Sequence, residues 1–192
     1  MKSATCLKQL TTVGVFLLNS KNISKLTDMK AIIVDASGPE LTRAEEDLFR
    51  AEKPAGFILF QRNCVNRQQV KDLVAAMREC VGRDDAPVLI DQEGGSTQAV
   101  RLRAPEWTEF PPAKAFGTLA EKSRHEGIAT ARANAYRMAC EIAEIGVTVN
   151  CAPVVDVPAP DCHEFLSASR TFSDDPELVG LLGEGVCRGL LM

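Results

Sequence analysis

The chain has 192 residues and a formal net charge of −4, with 45% hydrophobic and 25% charged residues. These values are typical of a globular domain with one hydrophobic core, or of part of a larger domain. The basic residues are scattered, and a single Trp and a single Tyr leave little surface for base stacking, so nucleic-acid binding is not expected. Seven cysteines form no Cys-x-x-Cys pair, which indicates reduced thiols in a cytoplasmic protein.

Neither a metal site nor a cofactor site is predicted. The candidate metal cluster is Cys162–Glu164 (Cys-His-Glu), but the chain has only two histidines and no second ligand pair at zinc-like spacing. A Gly-x-Gly-x-x-Gly motif is absent after the first predicted strand, which argues against a dinucleotide site.

Residues 1–28 differ from the rest of the chain. The apolar run Val13–Leu18 follows two lysines, a faint resemblance to an export signal. That run is too short to span a membrane, and Asn19–Lys21 is not a small-residue cleavage site. We therefore expect residues 1–28 to be a disordered extension before Met29, with an export or organelle signal as the alternative and no membrane partner.

After Met29, short apolar runs alternate with amphipathic segments. The predicted strands are, in chain order, Ala31–Val34, Gly56–Phe60, Pro87–Ile90 and Val147–Asn150. The predicted helices are one opened by Thr42 with Glu45 as a capping box, one from Asn66 to Val81 ended by Gly82, one over Arg124–Ile145, and one that Asp175 and Pro176 open and that ends near Leu190. Two long loops, one containing Pro105, Pro111 and Pro112 and one over 156–172, follow the third and fourth strands.

This alternation predicts an α/β fold in which a parallel sheet is crossed by helices. Both long loops follow strand carboxyl ends, where (β/α)₈ barrels of the TIM type build their active sites. A complete barrel has eight units and about 250 residues. Residues 29–192 supply roughly the first four βα units, which is half a barrel.

The most informative motif is Asp91–Gly95 (Asp-Gln-Glu-Gly-Gly), which follows the third predicted strand. An acid at this edge of the sheet is placed to meet a polar ligand. We predict that Asp91 binds a ligand. Glu93 could share that site as a second carboxylate, but the favoured interpretation is that it anchors the loop by accepting backbone amides.

Two arginines, Arg101 and Arg103, follow on the same loop, and Arg170 lies on the loop after the fourth strand. Arginine offers planar donors suited to carboxylates or sugar oxygens, although surface salt bridges are an equal alternative for the first two. Asp156 is predicted to be structural, paired with loop amides or with an arginine. His125 is predicted to be solvated, since no nucleophile accompanies it.

Five motifs in order resemble the bacterial β-N-acetylglucosaminidases of glycoside hydrolase family 3. They are Asp91–Gly95, Arg101–Arg103, Phe110–Pro112, Ala152–Val157 and Arg170–Phe172. The resemblance runs from about Met29 to the last residue. It implies a (β/α)₈ barrel and a cytoplasmic, retaining enzyme of cell-wall recycling, which removes terminal N-acetylglucosamine from peptidoglycan fragments (muropeptides). It also implies that Asp91, Arg101 and Arg170 bind the sugar hydroxyls.

The sequence departs from the family pattern in three places. Relative to the usual Asp-Gln-Glu-Gly-Gly-Arg-Val-x-Arg-Leu, two extra residues precede Arg101, with Ser96 and Thr97 at the start of that segment, and the first arginine is replaced. Ala168 and Ser169 stand where the family has Gly and an acid. The family's Lys-His-x-Pro-Gly-His-Gly segment and its nucleophilic Asp have no counterpart before Met192, so no catalytic residue is assigned.

Two expectations follow from these departures. The 192-residue chain by itself should lack glycosidase activity, since retaining hydrolysis needs a nucleophile and a separate acid/base group. The uncovered edges and inner face of a half barrel should favour self-association. The alternative functions are a non-catalytic sugar-binding or regulatory module and, less favoured, a flavodoxin-like domain with an unrelated ligand.

Overall fold

A computed structural model describes residues 29–95, 102, 103, 105–159, 161 and 169–192. Within them the chain forms four strands: β1 (Lys30–Val34), β2 (Pro54–Leu59), β3 (Val88–Ile90) and β4 (Val149–Asn150). Five α-helices lie between and after the strands: α1 (Arg43–Glu52), α2 (Arg67–Val81), α3 (Ala113–Lys122), α4 (Arg124–Glu144) and α5 (Pro176–Leu190). One turn of 3₁₀ helix covers Gln61–Asn63. The predicted segment 1–28 lies outside the described residues.

The strands form a single parallel sheet in the order β1-β2-β3-β4. Sequential order with every neighbour parallel is the arrangement of consecutive units in a (β/α)₈ barrel, and it confirms the predicted fold class. The carboxyl ends of the strands therefore meet at one edge. In the barrel fold, the loops at that edge form the active site.

Helix ends follow the local signals in the sequence. Thr42 Oγ1 accepts a bond from the Glu45 amide at 3.2 Å, and Glu45 Oε2 accepts one from the Thr42 amide at 2.7 Å, which completes the capping box. Burial raises the pKa of Glu45, but amide bonds from Thr42 and Ser37 outweigh it and lower the pKa to about 2. The predicted Asn66 cap and the left-handed Gly82 (φ 62°) are likewise confirmed.

Helix α3 corrects the sequence prediction, which has a continuous loop up to Arg124. Its sequence contains Gly117, which disfavours a helix interior by about 1 kcal/mol relative to Ala, and it follows two prolines. The helix forms because Phe116 and Ala120 on one of its faces are buried against α4 and α5. The glycine is required by packing, since a Cβ at Gly117 would lie 1.7 Å from the carbonyl oxygen of Phe172.

The core lies on the helical side of the sheet. Phe57, Leu59, Val88 and Ile90 point from β2 and β3 into a buried cluster that includes the apolar stripe of α2. β1, in contrast, is exposed on both faces, with Ile32 and Ile33 46% and 44% exposed. No helix among the described residues is long and apolar enough to cross a membrane.

Candidate sugar-binding site

Asp91 lies directly after β3 and is half-buried, as expected for a side chain at the carboxyl edge of the sheet. The neighbouring edge residue is Cys151, which follows β4 and whose thiol hydrogen-bonds the Asp91 carboxylate. Burial of the sulfur, the negative charge of Asp91 and this hydrogen bond together raise the pKa of Cys151 to about 11. At neutral pH the Cys151 thiol beside Asp91 is therefore uncharged.

Glu93 and Arg170 form a bidentate ion pair on the same edge. Arg170 Nε donates to Glu93 Oε2 at 2.9 Å, and its terminal nitrogen donates to Oε1 at 2.6 Å. The hydrogen bond to Glu93 raises the pKa of Arg170, burial opposes that shift, and the charges of Glu93, Asp156 and Asp91 add to it. Glu93 thus anchors its loop, but through an arginine side chain instead of the predicted backbone amides.

Gly94 and Gly95 turn the chain sharply after these acids, with φ values of 90° and 79°. A Cβ at Gly94 would lie 2.5 Å from the carbonyl oxygen of Pro111, and a Cβ at Gly95 would lie 2.6 Å from the Cβ of Pro112. The Gly95 amide also donates to the Phe110 carbonyl at 2.8 Å. The Phe110–Pro112 motif therefore packs directly on the glycine turn and fixes its position.

Two amide side chains join the loop to the sheet. Asn150, at the end of β4, pairs with the backbone of Gln92, accepting from its amide at 3.0 Å and donating to its carbonyl at 2.9 Å. Gln92 in turn pairs with the backbone of Leu102, accepting from the Leu102 amide at 3.1 Å and donating to its carbonyl at 3.2 Å. These bonds extend the sheet's hydrogen bonding into the loop that follows β3.

The far end of that loop is held by α2 and α4. Glu141 Oε1 accepts from the amide and the hydroxyl of Thr108 at 3.1 and 3.2 Å, and also pairs with Arg67. The Arg67 guanidinium stacks over the Trp107 ring at 4.8 Å from the centroid. Buried Trp107 and buried Glu141 thus tie the loop to the outer helices.

A narrow cavity lies beside Glu93, between the end of β4 and helices α3, α4 and α5. Its polar lining atoms come from Gln92, Glu93, Asn134 and Asn150, and the remaining walls are apolar. Its volume of about 30 Å³ fits a water molecule but not a sugar ring.

The structure brings Asp91 and Arg170 together at the rim formed by the carboxyl edge of the sheet, whereas Arg101 lies outside the described residues. Cys162 and His163 also lie outside them. Within the described part of the chain, no three His, Cys, Asp or Glu side chains come close enough to hold a metal ion. His125 is exposed in the first turn of α4, as predicted.

Sequence reasoning missed Gln92, Asn150 and Cys151. Each lies within one residue of a strand end or of the Asp-Gln-Glu-Gly-Gly motif, so their position at the carboxyl edge was readable from the sequence. Their partners were not, because Gln92 and Asn150 are 58 residues apart and meet only through the pairing of β3 with β4.

The edge geometry agrees with comparisons to known proteins. The family described as "Glycosyl hydrolase family 3 N terminal domain" matches residues 7–191. The chain belongs to glycosyl hydrolase family 3. The four consecutive βα units agree with this membership.

Among curated relatives, a beta-hexosaminidase of Stenotrophomonas maltophilia is 34% identical over 159 residues, covering 83% of this chain and 45% of the relative. A beta-hexosaminidase of Xanthomonas oryzae is 37% identical over 150 residues, covering 77% and 42%. The family 3 chain therefore spans about half the length of the curated relatives it matches.

Solved structures share the fold. NagZ from Neisseria gonorrhoeae, in complex with N-trifluoroacetyl-D-glucosamine, superposes with a TM-score of 0.76 at 24% identity, over 85% of this chain and 46% of NagZ. A family 3 beta-N-acetylglucosaminidase from Paenibacillus gives a TM-score of 0.68 at 24% identity, over 85% and 29%. These likenesses establish the (β/α)₈ architecture of the described half barrel.

Proposed function

We propose that this chain supplies the sugar-binding half of a β-N-acetylhexosaminidase that hydrolyses O-glycosyl bonds to terminal N-acetylglucosamine. The observation that carries the proposal is the half-buried Asp91 at the carboxyl end of β3, with Arg170 held on the same edge by Glu93. Asp91 accepts hydrogen bonds from sugar hydroxyls, and Arg101 and Arg170 donate to sugar oxygens.

Arg170 is suited to this role because its orientation is fixed in advance. The bidentate pair with Glu93 fixes the plane of the guanidinium, and its side chain is only 20% exposed. A donor held in one geometry loses little conformational freedom when it meets a ligand. Glu93 thereby acts on the sugar through Arg170, while Asp91 contacts the sugar itself.

The wider substrate follows from the resemblance to bacterial enzymes of cell-wall recycling. We propose that the sugar is the terminal N-acetylglucosamine of muropeptides, encountered in the cytoplasm. The names of the curated relatives support the hexosamine specificity. Competition between a muropeptide and free N-acetylglucosamine for the chain, with glucose as the comparison, tests this substrate: equal binding of glucose contradicts it.

Hydrolysis of the glycosidic bond requires catalytic groups for which the resemblance to the family gives no counterpart among these 192 residues. Retaining hydrolysis uses a nucleophilic carboxylate and an acid/base group on opposite sides of the bond. No residue on the described edge matches the family's nucleophile or its His-containing acid/base segment. We therefore expect the 192-residue chain to bind sugar without turning it over.

Calorimetric titration with N-acetylglucosamine, together with a chromogenic N-acetylglucosaminide assay, tests the proposal. Asp91→Ala should abolish measurable binding, because it removes a charged acceptor worth about 1.5–3 kcal/mol. The matched control is Asp85→Ala, an exposed acid between α2 and β3, which should bind as the unmodified chain does. Equal binding by Asp91→Ala, or turnover by highly purified chain, would contradict the proposal.

A non-catalytic sugar-binding module remains the alternative function, because the described edge carries binding groups alone. The two functions differ in what they predict for a longer protein. Joining this chain to the carboxyl-terminal half of a family 3 relative should restore turnover if the edge belongs to an enzyme. Binding without restored turnover in a folded fusion favours the module.

A further inference from the structure

We propose that Gln92 is a positioning residue that holds the described residues between Leu102 and Thr108 against the sheet and so shapes the rim beside Asp91 for sugar binding. Gln92 is 1% exposed, and its side chain forms both available backbone bonds with Leu102. Leu102 is itself fully buried. The Gln92 side chain thus pairs with the Leu102 backbone as a neighbouring strand would, and we call this pair of hydrogen bonds the rung.

The rung is tied to the core through Asn150. The Asn150 side chain makes two bonds to the Gln92 backbone, and Asn150 belongs to β4, which pairs with β3. A continuous series of hydrogen bonds therefore links β4, through the Asn150 and Gln92 side chains, to the backbone of Leu102. A buried amide left without its partner costs about 1–3 kcal/mol, so the arrangement resists slippage.

The second anchor of the segment is at its other end. Thr108 is bonded to Glu141, and Trp107 lies under Arg67. Gly95 and Leu102 are thus each held by a hydrogen bond from the backbone amide, to the Phe110 carbonyl and to the Gln92 side chain.

Trp107 reports directly on this arrangement, since it is the only tryptophan of the chain. Gln92→Leu removes both hydrogen bonds to Leu102. The emission of Trp107 should therefore shift to the red, and the quenching of Trp107 by acrylamide should increase. Gln92→Glu should do the same near about pH 8, where a carboxylate cannot donate to the Leu102 carbonyl. Burial raises the pKa of the introduced carboxyl, so its protonation at mildly acidic pH should restore both bonds and the original spectrum.

The matched control is Asn63→Asp. Asn63 is also a fully buried amide, and it donates to the carbonyls of Ala36 and Gly38 while accepting from the Phe60 amide. Asn63 follows β2 and bonds to the loop after β1. The substitution therefore makes the same amide-to-carboxylate change at a position that is distant in sequence from Trp107. It should lower stability without changing the Trp107 spectrum at either pH.

Unchanged Trp107 emission in both Gln92 variants overturns the proposal, as does an equal red shift in Asn63→Asp. Hydrogen exchange of the unmodified chain decides the matter if the variants do not fold. A Leu102 amide protected to the same degree as the β3 amides supports the rung, and one that exchanges as fast as an exposed loop amide overturns it.

The link to sugar affinity rests on the proposed function, whereas the Trp107 measurements do not. If the unmodified chain binds N-acetylglucosamine, Gln92→Leu should weaken binding by about tenfold or more, and unchanged affinity overturns the positioning role. If the unmodified chain binds no sugar, the proposed function fails while the spectra still decide whether Gln92 places the segment.

Discussion

Asp91 is half-buried at the rim, and its carboxylate accepts a hydrogen bond from the thiol of Cys151. The thiol pKa of about 11 means that Cys151 stays protonated and donates to the carboxylate at neutral pH. The motif alone predicted a ligand-binding acid. The structure adds that this carboxylate accepts a hydrogen bond from Cys151, a residue that no sequence motif singles out.

Asp91→Ala should make Cys151 more reactive toward iodoacetamide, because removing the negative charge and the hydrogen bond lowers the thiol pKa and the thiolate is the nucleophile. In the unmodified chain, alkylation of Cys151 should be slow near about pH 8 and should accelerate as the pH rises toward 11. Peptide mass spectrometry of timed samples measures the rate. Cys187, exposed on α5, is the internal control, and its alkylation rate should be the same in Asp91→Ala as in the unmodified chain. An unchanged rate at Cys151 in Asp91→Ala contradicts the contact between Asp91 and Cys151.

At the scale of elements, the helices divide by whether local or distant contacts decide them. The starts of α1, α2 and α5 and the glycine end of α2 follow from bonds within five residues, such as the Thr42–Glu45 box, so the sequence predicted them. α3 depends on burial of Phe116 against α4 and α5. It also depends on the close approach of Gly117 to the backbone of Phe172, which lies 55 residues beyond Gly117 in the chain. No periodic or capping signal within α3 encodes that contact.

Gly117→Ala should destabilise the chain by about 2 kcal/mol or more, because the new methyl group would overlap the Phe172 carbonyl and force α3 away from its neighbours. Gly180→Ala in α5 is the matched control: the position is exposed and a Cβ there meets no atom within 4 Å. That substitution should stabilise by about 0.4–1 kcal/mol. Urea unfolding followed by circular dichroism compares them, and similar midpoints for both variants would contradict the packing argument.

At the scale of the whole molecule, the middle of the sheet is covered and its β1 edge is exposed. β2 and β3 are covered by the core cluster, whereas β1 exposes both faces and has β2 as its only neighbour among the described strands. An edge strand with two adjacent exposed isoleucines is a template for pairing with another chain. The proposed self-association through this edge follows from that exposure.

The 192-residue chain should therefore associate as its concentration rises, and Ile32→Lys should shift the equilibrium toward monomer, since edge lysines oppose strand pairing. Leu48→Lys is the matched control, because Leu48 is a similarly exposed apolar residue on α1, away from the strand edge. Sedimentation velocity over a concentration series measures both. A monodisperse monomer that melts cooperatively at every concentration would rule out the association.

The sequence alone determined the order of strands and helices, the helix caps and the family motif at the end of β3, because each depends on neighbouring residues or on a short run of residue types. It also placed Asp91 and Arg170 at one edge, since parallel strands in sequential order bring their carboxyl ends together. Tertiary structure alone decided how the edge groups are paired: Arg170 with Glu93, Cys151 with Asp91, and Gln92 with Asn150 and Leu102. These pairs join residues between 10 and 77 positions apart in the chain, and which donor meets which acceptor is set by strand register and loop packing, which no local pattern records.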